Sequence, residues 1–224
     1  MIGRAADRLK ALVREKPHSK FLLYYVFYLI TFFTLERVTK PKYILHCALD
    51  DMIPFCEWFL IPYALWFLIL FGAPVYFLLT DRRDFLKLCF IMFNGMTFCF
   101  LVYLIAPNGL NLRTEVTGDN LLCEIARLLY TVDTPTNVCP SIHVASSVAV
   151  DLVVQRSRRL KKRYGFRTAS FLLMGSITLS TMFLKQHSVI DVVCGIALSL
   201  VLCAVAYSPW MERHSPLSAG STVR

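Results

Sequence analysis

The chain has 224 residues, enough for one domain, and it is 56% hydrophobic with a mean hydropathy of +0.55, which excludes an ordinary water-soluble globular protein. A formal charge of +9 raises nucleic acid as a partner, but no nucleic-acid motif accompanies the charge, and its placement along the chain accounts for it in another way. The eight cysteines contain no C-x-x-C pair, so metal binding through them is not expected.

In chain order, residues 1–20 read as a basic amphipathic segment with Leu9, Leu12 and Val13 on its apolar stripe. Long apolar blocks follow at roughly 20–35, 58–80, 85–106, 142–155, 168–184 and 187–207, each near the length that a bilayer requires. The fold expected is therefore an all-α integral membrane protein. It has a bundle of six transmembrane helices over residues 21–207 and a polar tail at 208–224. The first block follows a basic tail without a small-residue cleavage site and reads as an uncleaved anchor.

Lysine and arginine set the orientation. The N-terminal tail, the connections after the second and fourth blocks and the C-terminal tail carry 18 basic residues; the opposite connections carry only Arg37, Lys40, Lys42, Arg113, Arg127 and Lys185. Both termini are expected on the cytoplasmic side, and the charge excess marks loops facing anionic headgroups.

Two outer connections are long. Residues 36–57, punctuated by Pro41 and Pro54, are rich in residues suited to a membrane interface and read as a connector or a lid. Residues 107–141 hold a stretch of helical periodicity from Leu121 to Thr131 and are too apolar to be disordered. Cys47, Cys56, Cys123 and Cys139 fall on this side, where a disulfide could form, although small buried hydrophobes are the favoured reading. Asp151, eight residues after His143, is expected to pair with a basic residue of the next loop.

The chemistry concentrates at two histidines, each opening an apolar block. His187 precedes Asp191 by four residues, just over one helical turn, so the carboxylate can hold one ring nitrogen and leave the other free to attack. Ser180 lies two turns further back if the helix is continuous. In Cys139-Pro140-Ser141-Ile142-His143 the proline suits the first turn of a helix, whose N-terminus favours an anion. The alternating direction of the spans brings Arg113, Ser141, His143, Ser180, Lys185 and His187 to one membrane level on one side. Two cations, two hydroxyls and a helix N-terminus around two histidines suit a phosphate held for transfer.

These residues resemble the type 2 phosphatidic acid phosphatase (PAP2) superfamily, whose blocks run K-x6-R-P, P-S-G-H and S-R-x5-H-x3-D. Pro140-Ser141-Ile142-His143 matches the second with Ile for Gly, and Ser180-Thr181-x5-His187-x3-Asp191 matches the third with Thr for Arg. The first is weakest: Arg113 aligns with its Arg, Thr114 replaces Pro, and Ala106 stands at the Lys. The resemblance implies that His187 attacks phosphorus, that Asp191 orients it, and that His143 protonates the leaving alcohol. It implies that Arg113, Ser141 and Ser180 hold the phosphoryl oxygens, with Lys185 a substitute for a missing cation, and that no metal or other cofactor takes part. The substrate implied is a membrane phospholipid or prenyl phosphate, met at the extracytoplasmic face of the plasma membrane. Three activities fit: a lipid phosphatase; a lipid headgroup phosphotransferase like the related sphingomyelin and inositol-phosphorylceramide synthases, to which fewer cations are better suited; or a non-catalytic lipid-binding member.

Overall fold

The computed structural model of the chain describes residues 14–214. The apolar stripe expected at Leu9, Leu12 and Val13 lies outside the described residues. Pro17 opens a 3-10 turn, Pro17–Leu23, that runs into α1, Tyr24–Val38. A two-residue strand β1 (Tyr43–Ile44) and a short helix α2 (Ala48–Met52) lead to a second 3-10 turn (Glu57–Phe59) and α3 (Leu60–Thr80). Next come α4 (Arg82–Ile105), β2 (Asn108–Gly109), α5 (Leu121–Val132), α6 (Ile142–Arg156), α7 (Tyr164–Phe183), α8 (Val189–Ala206) and α9 (Pro209–His214).

The protein is mostly helical, and among the described residues four helical stretches are long and apolar enough to cross a membrane: Pro17–Val38, Glu57–Thr80, Arg82–Ile105 and Val189–Ala206. The helix α6 is too short to join them, and α7 is long enough but not apolar enough. Both nevertheless pack into the bundle. The helix α6 lies against α4, α7 and α8, buried on almost every side. Small residues make this possible, because helices in lipid gain from close backbone approach and not from hiding apolar surface. Gly195 of α8 is one such point: a Cβ there would stand 2.9 Å from the Ser141 carbonyl oxygen. Nearby, Ser199 Oγ donates to the Ala145 carbonyl at 2.6 Å.

The bundle has two unlike ends. At one, Lys16 Nζ donates to the Leu78 carbonyl (2.9 Å), Arg159 reaches the Thr80 carbonyl (3.4 Å), and Glu212 of α9 takes Arg83 and Lys87. The first residues of the tail are thus a docked helix. The basic loops collect at this end. Asp151 does not meet one of their cations directly: its Oδ1 accepts from Gln155 (3.0 Å) and Ser170 (2.7 Å), and Gln155 in turn takes Arg167. A glutamine one turn away reaches the carboxylate first.

At the other end the long connections fold into a cap. Tyr43 and Ile44 pair in parallel with Asn108 and Gly109. The buried Asn108 side chain donates to the carbonyls of Ala106 and Cys139 and accepts from the amides of Val138 and Cys139, all at 2.8–3.0 Å. One amide therefore ties the end of α4 to the approach to α6. The expected helix in the long connection is α5, capped by Asn120, which accepts from the Cys123 amide. All eight cysteines are free thiols.

Candidate active site

Helix α6 starts at an N-cap, Ser141, whose Oγ accepts from the Val144 amide at 3.3 Å. Pro140 stands one residue outside the helix, not in its first turn. It contributes its carbonyl, which takes Tyr103 OH at 2.6 Å. His143 is the second helical residue, with its ring between Trp66 (centroids 4.1 Å apart) and Tyr63 (4.8 Å) of α3. Trp66 is itself held by Ser146 Oγ at 2.8 Å.

His187 reaches the same place by another route. The span expected at 168–184 ends as α7 at Phe183, so no continuous helix joins Ser180 to His187, and a turn over 184–188 carries the chain into α8. Lys185 adopts a positive φ of 54° there, and the amides of Gln186 and His187 both donate to the Thr181 carbonyl. His187 precedes the N-cap of α8, Ser188. Asp191 is therefore brought to it by a capping box and not by stacking on one helix face: its Oδ2 accepts from the Ser188 amide at 2.9 Å and stands 3.3 Å from His187 Nδ1. A carboxylate only accepts, so Nδ1 carries the proton and Nε2 keeps a lone pair. His143 Nδ1 lies 3.3 Å from that Nε2. Asp191, His187 and His143 thus form one line, ending at a cavity of about 200 Å³ that both histidines border.

The four residues expected to hold phosphate are not in the cavity wall. Ser180 Oγ is fully buried and donates back to the Ile177 carbonyl at 2.6 Å, because the turn after Phe183 leaves it behind the site. The oxygen of Ser141 is taken by its own cap. Lys185 Nζ donates to the carbonyls of Asp50 (2.9 Å) and Ile53, so it pins the outer connector. Arg113 lies behind the wall, where its guanidinium donates to the carbonyls of Tyr130 (2.8 Å) and Asp133 and to Gln186 Oε1 (2.8 Å).

The wall instead holds residues from the connections. Gln186 Nε2 and both polar atoms of the Asn137 side chain are buried with no hydrogen-bond partner among the described residues, and both residues border the cavity. Unpaired amide donors beside two histidines are costly unless a ligand's oxygens take them. Asp133 and Glu36 add carboxylates: Asp133 accepts from Tyr63 OH at 3.1 Å, and Glu36 from the Thr134 amide at 2.8 Å. Burial pushes the Asp133 carboxyl up, while His187 and Arg113 nearby oppose that rise. No spacing rule links positions 133, 137 and 186, which is why sequence reasoning missed them.

Asp50 was also missed as a support. Its Oδ2 accepts from Ser188 Oγ (2.7 Å) and the Cys47 amide (2.8 Å), and its Oδ1 from the Val189 amide (2.8 Å). The outer connector is thereby locked onto the first turn of α8, and two carboxylates, Asp50 and Asp191, serve one helix N-terminus. Burial pushes the Asp50 carboxyl up, but these hydrogen bonds outweigh it and hold it below the usual carboxylate range. Among the described residues no group of three or more His, Cys, Asp or Glu side chains is arranged to hold a metal ion.

No protein-family model, curated protein or solved structure matches the chain.

Proposed function

We propose that the protein is a membrane-embedded lipid phosphatase of the type 2 phosphatidic acid phosphatase kind, acting through a phosphohistidine. The observation that carries the reading is the line Asp191, His187, His143, with successive contacts of 3.3 Å and 3.3 Å, ending at a cavity. Six spans, with the basic end cytoplasmic and the histidine end extracytoplasmic, complete it; the separation of basic loops from histidines between the two ends supports this arrangement.

In the first step His187 Nε2 attacks the phosphorus of a lipid phosphate, a P–N bond forms, and the P–O bond to the lipid alcohol breaks. His143 donates the proton that the leaving oxygen needs and, now neutral, takes one from water in the second step. That water's oxygen bonds to phosphorus as the P–N bond breaks, releasing phosphate and restoring both rings. Asp191 holds Nδ1–H throughout and stabilises the positive charge on the phosphorylated ring. The present contact between the two histidines is too short to admit a phosphorus atom, so substrate entry must part them.

A second reading is that a lipid alcohol takes the phosphoryl group from an intact phospholipid. It is favoured by one observation: among the described residues no Lys or Arg lines the cavity, and the uncommitted donors are the neutral amides of Gln186 and Asn137. Such a site suits the single charge of a phosphodiester better than a monoester dianion.

The test is to incubate purified protein in detergent with phosphatidic acid, a prenyl diphosphate or an intact phospholipid, with and without diacylglycerol or ceramide. Phosphate release that disappears in His187→Ala is the result expected. A new lipid that requires the acceptor, without free phosphate, supports the second reading. Neither product from folded protein overturns both and leaves a lipid-binding role.

A further inference from the structure

The cavity does not stop at the histidines. It continues down a groove whose two sides are helical stripes: Leu29, Phe33 and Glu36 on α1, and Tyr63, Phe67 and Phe71 on α3. These spacings of three, four and seven or eight residues put each set on one helix face. The back wall is buried, with Trp66 and Leu70 only 4% and 1% exposed. The rim is not: Leu29, Phe33, Phe67 and Phe71 are 41%, 53%, 53% and 40% exposed, on the outer faces of helices apolar enough to cross a membrane. The groove therefore opens sideways, onto the surface that the bundle presents to lipid.

Both of its ends are closed by hydrogen bonds. Proline at position 74 has no N–H to give the Leu70 carbonyl, and Tyr25 OH of α1 donates to that carbonyl instead, with its ring 4.9 Å from that of Phe71. This joins α1 to α3 at the floor. At the roof Glu36 of α1 is tied to Thr134 of the cap. Between floor and roof α1 leans on α4, leaving the side toward α3 open. From Phe71 to Tyr63 the groove climbs about 12 Å of helix, at 1.5 Å per residue. One leaflet of hydrocarbon is about 15 Å deep.

We propose that the α1–α3 groove is a binding site for the hydrocarbon chain of a bilayer lipid. The lipid enters sideways from the leaflet at the histidine end, with its headgroup beside His143 and His187 and its chain between Leu29, Phe33 and Phe67. The chemical class of ligand is a lipid whose chain runs into the hydrocarbon core, and a soluble phosphate ester uses only the upper chamber. Three features commit the occupant: continuity of the groove with the lipid-facing surface, its apolar walls, and a depth matching one leaflet. The identity of the headgroup as a phosphate ester rests on the phosphoryl-transfer reading; the chain site does not.

Two measurements test it. In the first, protein in bilayer nanodiscs is irradiated with a phosphatidic acid carrying a diazirine on one acyl chain, and labelled residues are mapped by mass spectrometry. Adducts on the buried Trp66 or Leu70, retained in His187→Ala, are expected; adducts only on outward-facing residues of the bundle overturn the site. In the second, Leu29→Trp narrows the rim, and turnover of a long-chain phosphatidic acid is compared with that of a dibutanoyl analogue. The long-chain to short-chain ratio is expected to fall about ten-fold. An unchanged ratio overturns the proposal. If the wild type turns over neither ester, the lipid phosphatase reading fails and the labelling decides the chain site by itself.

Discussion

The two ends of the bundle both bury titratable side chains, and among the described residues only one sets them beside a cavity. At the basic end Lys87 is 1% exposed, hydrogen-bonded to Glu212 at 2.9 Å and seated over the Tyr207 ring at 3.6 Å. At the histidine end His187 is 7% exposed and held by Asp191. Unpaired atoms do not separate the two, since among the described residues Asp84 Oδ2 and Tyr207 OH lack hydrogen-bond partners at one end as Asp191 Oδ1 and Gln186 Nε2 do at the other. Access separates them. The histidine end opens on a cavity with uncommitted donors, whereas Lys87 is spent on docking α9. A buried charge thus becomes a functional candidate when room for a ligand lies beside it, and otherwise its pairing serves the fold.

If that contrast is right, the two ends respond oppositely to mutation. The largest effect is expected from His187→Ala, a loss of turnover of about 10⁴-fold with the thermal midpoint little changed, measured by product formation beside thermal unfolding in the same detergent. Asp191→Asn comes next, at about 10²-fold, because the negative charge behind Nδ1–H is lost and an amide NH2 can turn the ring to the other tautomer, while His187 itself stays. Retained turnover in either variant would remove the histidine line as the catalytic element.

Asp50→Asn sharpens the comparison. It leaves every reacting group in place and loosens the first turn of α8, so kcat is expected to fall about ten-fold with KM within about two-fold. A purely structural role would change thermal stability and leave kcat alone. Lys87→Ala gives the opposite signature at the basic end. It is expected to cost about 2 kcal/mol of stability through the lost hydrogen bond and the space left behind, with turnover within about two-fold of wild type.

The smallest effect is a pH dependence shared by both ends. Hydrogen bonds hold the Asp50 carboxyl below the usual range against its burial, and Lys87 does the same for Glu212, first through a hydrogen bond. A carboxyl whose pKa is lowered by folding adds stability that is full above its unfolded value and is lost as pH falls through the lowered one. The unfolding midpoint is therefore expected to drop below about pH 4. Asp50→Asn and Glu212→Gln each remove a part of that drop. Salt should shrink the Glu212 part more, since its side chain is 40% exposed.

Much of the architecture could be read before any coordinates. The apolar blocks at 58–80, 85–106 and 187–207 lie close to α3, α4 and α8, because hydropathy and helix length are local properties that a bilayer makes strict. The gathering of His143 and His187 at one end followed from alternating directions alone. The break between the blocks 168–184 and 187–207 was legible too; what was not is that His187 falls in the turn and not in the helix, where the positive φ of Lys185 and the long-range hold on its amine keep it. That the residues expected to hold phosphate stand outside the cavity wall has a related reason. Arg113 and Lys185 were assigned by sign and level in the membrane, but a buried cation goes to the oxygen its long side chain can reach, and here backbone carbonyls of the cap came first.

The sequence by itself determined that the protein is mostly helical with helices apolar enough to cross a membrane, the places of those helices and the pairing of His187 with Asp191. Each of these depends on residues within a few turns of one another or on the uniform demand of an apolar solvent. Only the tertiary structure decided that Asp50 braces α8, that Gln186, Asn137 and Asp133 wall the cavity, and that a groove between α1 and α3 opens on the exposed apolar faces of those helices. Those depend on contacts between segments tens of residues apart in the chain, whose partners are chosen by packing and by the need to satisfy buried polar groups, and no local pattern encodes that choice.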